Sequence, residues 1–205
     1  MKFASYGAAG VLTVCLLSDS ALANPNGING HSGKSNVTCT ACHMGGAAVP
    51  TVEISGPATL VAGETGQYTF IIRGGPAVVG GAGIAVSSSA ATLAPAAGSG
   101  LRGQSGELTQ SAPKAFSNGE VRFDFTMKAP SAAGTVSLFG AGNSANNSGG
   151  NTGDGVATTK KDVTITAASS DPQPDETGGC SATGGAPVLM FALAAVGSLL
   201  RRRRD

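Results

Sequence analysis

The chain of 205 residues has no tryptophan, only two histidines, and charged side chains at just 12% of its length. Each scarcity excludes something. With one histidine committed to another motif, no Ser-His-Asp set can be assembled, and no glycine-rich phosphate loop is present, so an enzyme is not expected. A formal net charge of +1 supplies no basic field to draw nucleic acid. Aromatics at 4% limit the core to modest size. What is abundant is glycine, 32 residues, which describes short strands and many turns rather than long helices.

Both ends read as address labels around one ordinary domain. Lys2 precedes an apolar run from Tyr6 to Leu17 that exits through Ala21-Leu22-Ala23. This is the layout of a secretory signal peptide over residues 1–23, with cleavage expected after Ala23. At the far end an apolar run from Ala186 to Leu200 meets Arg201-Arg202-Arg203-Arg204. Arginines beside an apolar helix stay on the cytoplasmic side, so everything before the run faces outward. The run is short against the ~20 residues of a bilayer crossing, which favours a signal that is recognised and cut. Thr177-Gly178-Gly179-Cys180-Ser181 ahead of it resembles the myxobacterial C-terminal sorting signal Myxo-CTERM over residues 180–205. That resemblance implies a sorting protease as partner, processing near Cys180, and anchoring through Cys180 at the cell envelope or outer surface. Between this signal and the domain, residues 169–179 carry prolines and acids and read as a semi-extended linker.

The segment 24–50 is glycine-rich and carries Cys39-Thr40-Ala41-Cys42-His43. Cys-x-x-Cys-His is the attachment pattern of c-type haem, in which two thiols bond the porphyrin and the following histidine coordinates iron. The expected cofactor is therefore one haem c per chain, held by Cys39 and Cys42, with His43 as proximal ligand and a redox protein as partner. For the sixth position the candidates are His31 and, more weakly, Met127 from a later strand; an open iron is the remaining state. Three rivals stand beside haem. A thioredoxin-like pair needs a βαβ surround and a helix N-terminus. A zinc site would draw on Cys39, Cys42, His43 and His31, although adjacent Cys42 and His43 strain a tetrahedral cage. A disulfide between Cys39 and Cys42 is the blandest outcome in an oxidising space. The segment is too short to wrap a haem alone, so a haem there must lean on the following domain or on a partner.

From Thr51 to about residue 168 the apolar residues recur at strand period, clearly in Thr51-Val52-Glu53-Ile54-Ser55 and in Val121 to Lys128. Further runs start at Tyr68, Ile84, Thr92, Thr135 and Val163, with turns such as Gly74-Gly75-Pro76 and Ser117-Asn118-Gly119 between them. About seven short strands describe an all-β, immunoglobulin-like antiparallel β-sandwich. Asn143 to Asp154, rich in amides and glycine, reads as a mobile loop whose single carboxylate is too little charge for calcium.

The order of these elements resembles the bacterial Reeler-like group called choice-of-anchor V. The resemblance rests on Gly33-Lys34 ahead of the cysteine motif, Ala62-Gly63-Glu64, Phe123-Asp124-Phe125-Thr126 up to Ala129-Pro130, and Gly140-Ala141-Gly142-Asn143. It implies a Reeler-like sandwich at the cell surface; Phe125 stands where such strands would carry tryptophan. The expected function is an exported, surface-anchored sandwich with one covalent haem for electron transfer or haem-based sensing. The alternative is a haem-free adhesion or structural module whose cysteine motif merely pins the N-terminal segment.

Overall fold

The computed structural model describes residues 24–169. The signal-peptide and sorting-signal readings, with Ala23 and Cys180, fall outside the described residues, as does nearly all of the linker. Among the described residues no helix is long and apolar enough to cross a membrane.

The described residues form an all-β protein of two sheets. The strands are β1 (Met44–Gly45), β2 (Thr51–Ser55), β3 (Thr59–Val61), β4 (Thr65–Arg73), β5 (Val79–Val86), β6 (Thr92–Pro95), β7 (Leu101–Gln104), β8 (Glu107–Gln110), β9 (Lys114–Ala115), β10 (Glu120–Lys128), β11 (Gly134–Ala145) and β12 (Thr152–Thr166). The smaller sheet runs β2-β4-β10-β6. The larger runs β1-β12-β11-β5-β8-β7, with β3 also on β12 and β9 on β5. Most pairings are antiparallel as expected, but β1 and β3 pair with β12 in parallel, so the larger sheet is mixed.

Period-two patterning builds the core. On β10, Val121, Phe123, Phe125 and Met127 are buried while Arg122, Asp124 and Lys128 face water. They meet Phe70 and Ile72 of β4 and, from the larger sheet, Ile84, Leu108, Leu138 and Val163. Each such fully buried side chain is worth about 1.5–3 kcal/mol over its exposed state. Tyr68 and Phe125 stack with ring centres 5.6 Å apart. The smaller sheet keeps its outer face wet, with Arg73 between Glu53 and Glu120, each at 2.9 Å.

The larger sheet does not follow that rule. Its outward residues Ala85, Thr109 and Ala141 are buried as well, because residues 24–49 cross over that face. Gly30 N–H donates to Glu107 Oε2 at 2.6 Å, and Arg102 Nε donates to the Asn26 carbonyl at 2.9 Å. Gly27 makes the approach feasible: its φ is +71°, and a Cβ there would stand 2.0 Å from Thr109 Oγ1. The expected mobile loop at 143–154 is corrected too. Asn143 lies within β11 and Asp154 within β12, paired antiparallel through most of their length, and only the short connection between those strands is irregular.

Candidate functional site

Between the crossing segment and the larger sheet lies a two-lobed cleft, and the cysteine motif forms one wall of it. Cys39–Ala41 is a single 3-10 turn, capped by Thr38, whose Oγ1 accepts from Thr40 N–H at 3.2 Å. The Cys42 and His43 amides both donate to the Cys39 carbonyl, at 3.2 and 2.9 Å. A turn of this kind stacks residues i and i+3, so Cys39 and Cys42 share one side and His43 follows directly. Both thiols are free. Burial pushes the Cys39 thiol up to about 11, with the neighbouring Cys42 adding to the rise.

One lobe, about 250 Å³, is lined by Cys39, Cys42, His43 and His31 together with Gly81, Gly83 and Thr109. The other, also about 250 Å³, reaches past His43 to Asp154, Asn147 and Pro113. His43, Gly81, Gln110, Asn143 and Asn24 line both. Gly81 and Gly83 are alternate residues of β5, so a strand without side chains floors the cleft.

His43 is held from behind. Its Nδ1 lies 2.6 Å from Asp154 Oδ2, and the Asp154 side chain is 1% exposed against 17% for His43. A buried carboxylate at that distance accepts a hydrogen bond from Nδ1–H of the neutral ring, which leaves the lone pair on Nε2. Asp154 is itself fixed, because its Oδ1 accepts from Asn146 N–H at 3.0 Å. The Asn143 side-chain nitrogen stands 3.1 Å from the same His43 nitrogen while Asn143 Oδ1 is buried without a partner. Exchanging the two ends of that amide gives the His43 N–H a second acceptor.

His31 and His43 both line one lobe. The main chain explains it: Ser32 bridges Thr38 antiparallel, and Gly33 N–H donates to the Val37 carbonyl at 2.9 Å. This small hairpin folds His31 back beside Cys39. The sheet then receives His31 closely, since a Cβ on Gly83 would lie 3.5 Å from the His31 carbonyl carbon.

No family model matches the chain, and no curated protein matches it. Among solved structures it is distantly similar to the CARDB domain of the PF1109 protein from Pyrococcus furiosus, crystallised in complex with di-metal ions. That likeness covers 60% of this chain and 94% of that one, at 16% identity and a TM-score of 0.34. It is also distantly similar to the ASH / PapD-like domain 7 of human CEP192, covering 58% of this chain and 87% of that one, at 13% identity and a TM-score of 0.28. Both are distant likenesses to immunoglobulin-like sandwiches, and neither carries anything about this chain's chemistry.

Met127 is a correction. It is fully buried on β10 among the core aromatics and lines neither lobe, so its sulfur belongs to the core between the sheets. The rivals to haem also take a definite shape. Cys39 and Cys42 are not bridged. A thiol held near 11 is mostly protonated at neutral pH, the opposite of an activated redox cysteine. Among the described residues no three His, Cys, Asp or Glu side chains gather as a metal cluster, so the zinc set of Cys39, Cys42, His43 and His31 is not assembled. Sequence reasoning missed Asn143 and Asp154. Their only local signal was polarity beside glycine, which reads equally well as a loop.

Proposed function

We propose that this protein is an exported, envelope-anchored β-sandwich that carries one covalent c-type haem in the cleft over its larger sheet, for one-electron exchange with a redox protein. The observation that carries the reading is the His43–Asp154 pair beside two free thiols on one turn. A metal-ligating histidine characteristically donates its other ring nitrogen to a carboxylate, which fixes its tautomer and raises its basicity. The donor set fits haem c for that reason, and the Asn143 amide beside the same ring nitrogen adds a second polar contact behind it. The lobes together fall within the roughly 300–1,000 Å³ typical of ligand sites.

When bound, haem supplies a ferric/ferrous couple. Everything else is done by side chains of this chain. Cys39 and Cys42, both free thiols, would hold the porphyrin covalently as thioethers. His43 offers Nε2 while Asp154 keeps Nδ1 protonated. The glycines Gly81 and Gly83 of β5 leave the cleft's sheet side without side chains of their own, with Gln110 and the His31 main chain packed over them. Export is supported by the signal-peptide layout, and anchoring by the Gly179-Cys180 signal ahead of its apolar run and arginines. The choice-of-anchor V assignment is part of this reading and rests on the sequence resemblance alone.

Adhesion without haem is weaker on one specific point. The N-terminal segment is already held by Arg102, Glu107 and Asp154, so the cysteines are not needed as a pin. The decisive test is a pyridine haemochrome spectrum of the full chain made in a cytochrome-maturing host, with intact mass to report both trims. One haem per chain, lost in the Cys39→Ser/Cys42→Ser double variant, is expected. A colourless product with titratable thiols would end the haem reading and leave an envelope scaffold.

A further inference from the structure

Resting on that reading, we propose that His31 is the second axial ligand, so that the iron is held between two imidazoles and closed to small molecules, which makes the site an electron carrier rather than a gas sensor.

Three independent observations converge on His31. The first is placement: the Ser32–Thr38 bridge returns His31 to the start of the cysteine motif, and His31, Cys39, Cys42 and His43 line one lobe. The second is protonation. His31 Nδ1 lies 2.9 Å from the Asn29 carbonyl oxygen, which can only accept, so in the neutral ring Nδ1 holds the hydrogen and Nε2 the lone pair. Both histidines are thus prepared in the same way, each with Nδ1 tied to an oxygen and Nε2 left over. The third is elimination. Of the side chains lining the two lobes, the thiols are committed to the porphyrin and Asp154 to His43, while the others are amides, threonine, proline, glycine and aliphatics. Met127 is in the core, and Met44 is absent from both linings. Coordination would need no redox step, because His31 would only donate its Nε2 lone pair to a position otherwise open on the iron.

The experiment is a comparison of full-length wild type, His31→Ala and His31→Met, matured in the same host, by optical and electron paramagnetic resonance spectra and by carbon monoxide titration of the reduced protein. Wild type is expected to be six-coordinate and low-spin and to resist carbon monoxide. His31→Ala should turn high-spin and bind it, and added imidazole should restore the low-spin spectrum. His31→Met should stay low-spin with a more positive potential, since a thioether replaces an imidazole, and it keeps the test alive if the alanine variant folds poorly. A haem-bearing wild type that binds carbon monoxide freely, or a low-spin spectrum indifferent to His31→Ala, would overturn this assignment while leaving the covalent haem intact. In the second case, a chain given one extra residue before Asn24 asks whether the processed amino group at the cleft has taken the position instead. A chain with no haem overturns both readings together.

Discussion

His43 and Asp154 are 111 residues apart in the chain and 2.6 Å apart in space, Nδ1 against Oδ2. The contact joins the end of the cysteine motif to the start of the longest strand, and through Asn146 it fixes the turn between β11 and β12. Removing the carboxylate therefore disturbs two elements at once.

Asp154→Ala removes the sole side-chain acceptor given to the Asn146 amide and leaves the His43 ring N–H with only the Asn143 amide beside it. Buried donors deprived of partners cost about 1–3 kcal/mol each. A fall of roughly 3 kcal/mol or more in urea unfolding of the haem-free chain is expected, with Asp154→Asn losing less. Nitrogen NMR of the imidazole should show the Nδ1–H tautomer in wild type and a mixture in Asp154→Ala; an unchanged tautomer would refute the role given to Asp154.

Met127 should behave as a core residue and nothing else. Met127→Leu is expected to cost less than about 1.5 kcal/mol and Met127→Ala about 2–5 kcal/mol. If the proposed haem is present, neither should move its spectrum. A spectral shift in Met127→Leu would mean that its sulfur reaches the iron after all.

Close packing between the sheets depends on Gly140. A Cβ there would stand 2.6 Å from a ring carbon of Phe70, which is fully buried. Gly140→Ala should destabilise by about 1–3 kcal/mol through overpacking. Thermal unfolding would read this directly, and an unchanged midpoint would show that the two sheets can part at no expense.

Two groups make the haem-free protein sensitive to alkali. Burial raises the Cys39 thiol from 9.0 to about 11 and the Tyr68 hydroxyl from 10.0 to about 12, the latter with help from Glu64. In both cases the fold favours the protonated form. The sign follows: their contribution is complete below about pH 9, and it is lost as pH rises, through about 11 for Cys39 and about 12 for Tyr68, at about 1.4 kcal/mol per pH unit for each group. Urea midpoints should be flat near neutrality and decline above pH 9, with Cys39→Ala removing the earlier part of the decline. An equal decline in that variant would assign the effect elsewhere.

The smaller sheet was legible because its strands alternate. Val121, Phe123, Phe125 and Met127 point one way and the charges the other, and that same alternation already places Met127 inward, against its candidacy as a ligand. The larger sheet was less legible. Val79 to Gly83 has too few side chains to show a period, and β11 and β12 outrun their apolar cores into sequence of glycine, small polar and charged residues. Their outer face is buried only because a segment from much earlier in the chain lies on it, and no local pattern encodes that. The cysteine motif and its histidine could be read from spacing alone. Asp154 could not, since no spacing rule connects residues brought together by a sheet, and the two-residue β1 that runs beside it leaves no sequence signature.

The cover on the larger sheet also sets an order of events. A ribosome makes the Cys-Thr-Ala-Cys-His turn first, while the strand bearing its carboxylate partner comes 111 residues later. Until that strand has been made and has paired, the His43 ring has no carboxylate behind it to fix its orientation. Completion of the last strand supplies that carboxylate, so a chain truncated before it would keep the cysteine turn and lose the group that orients its histidine.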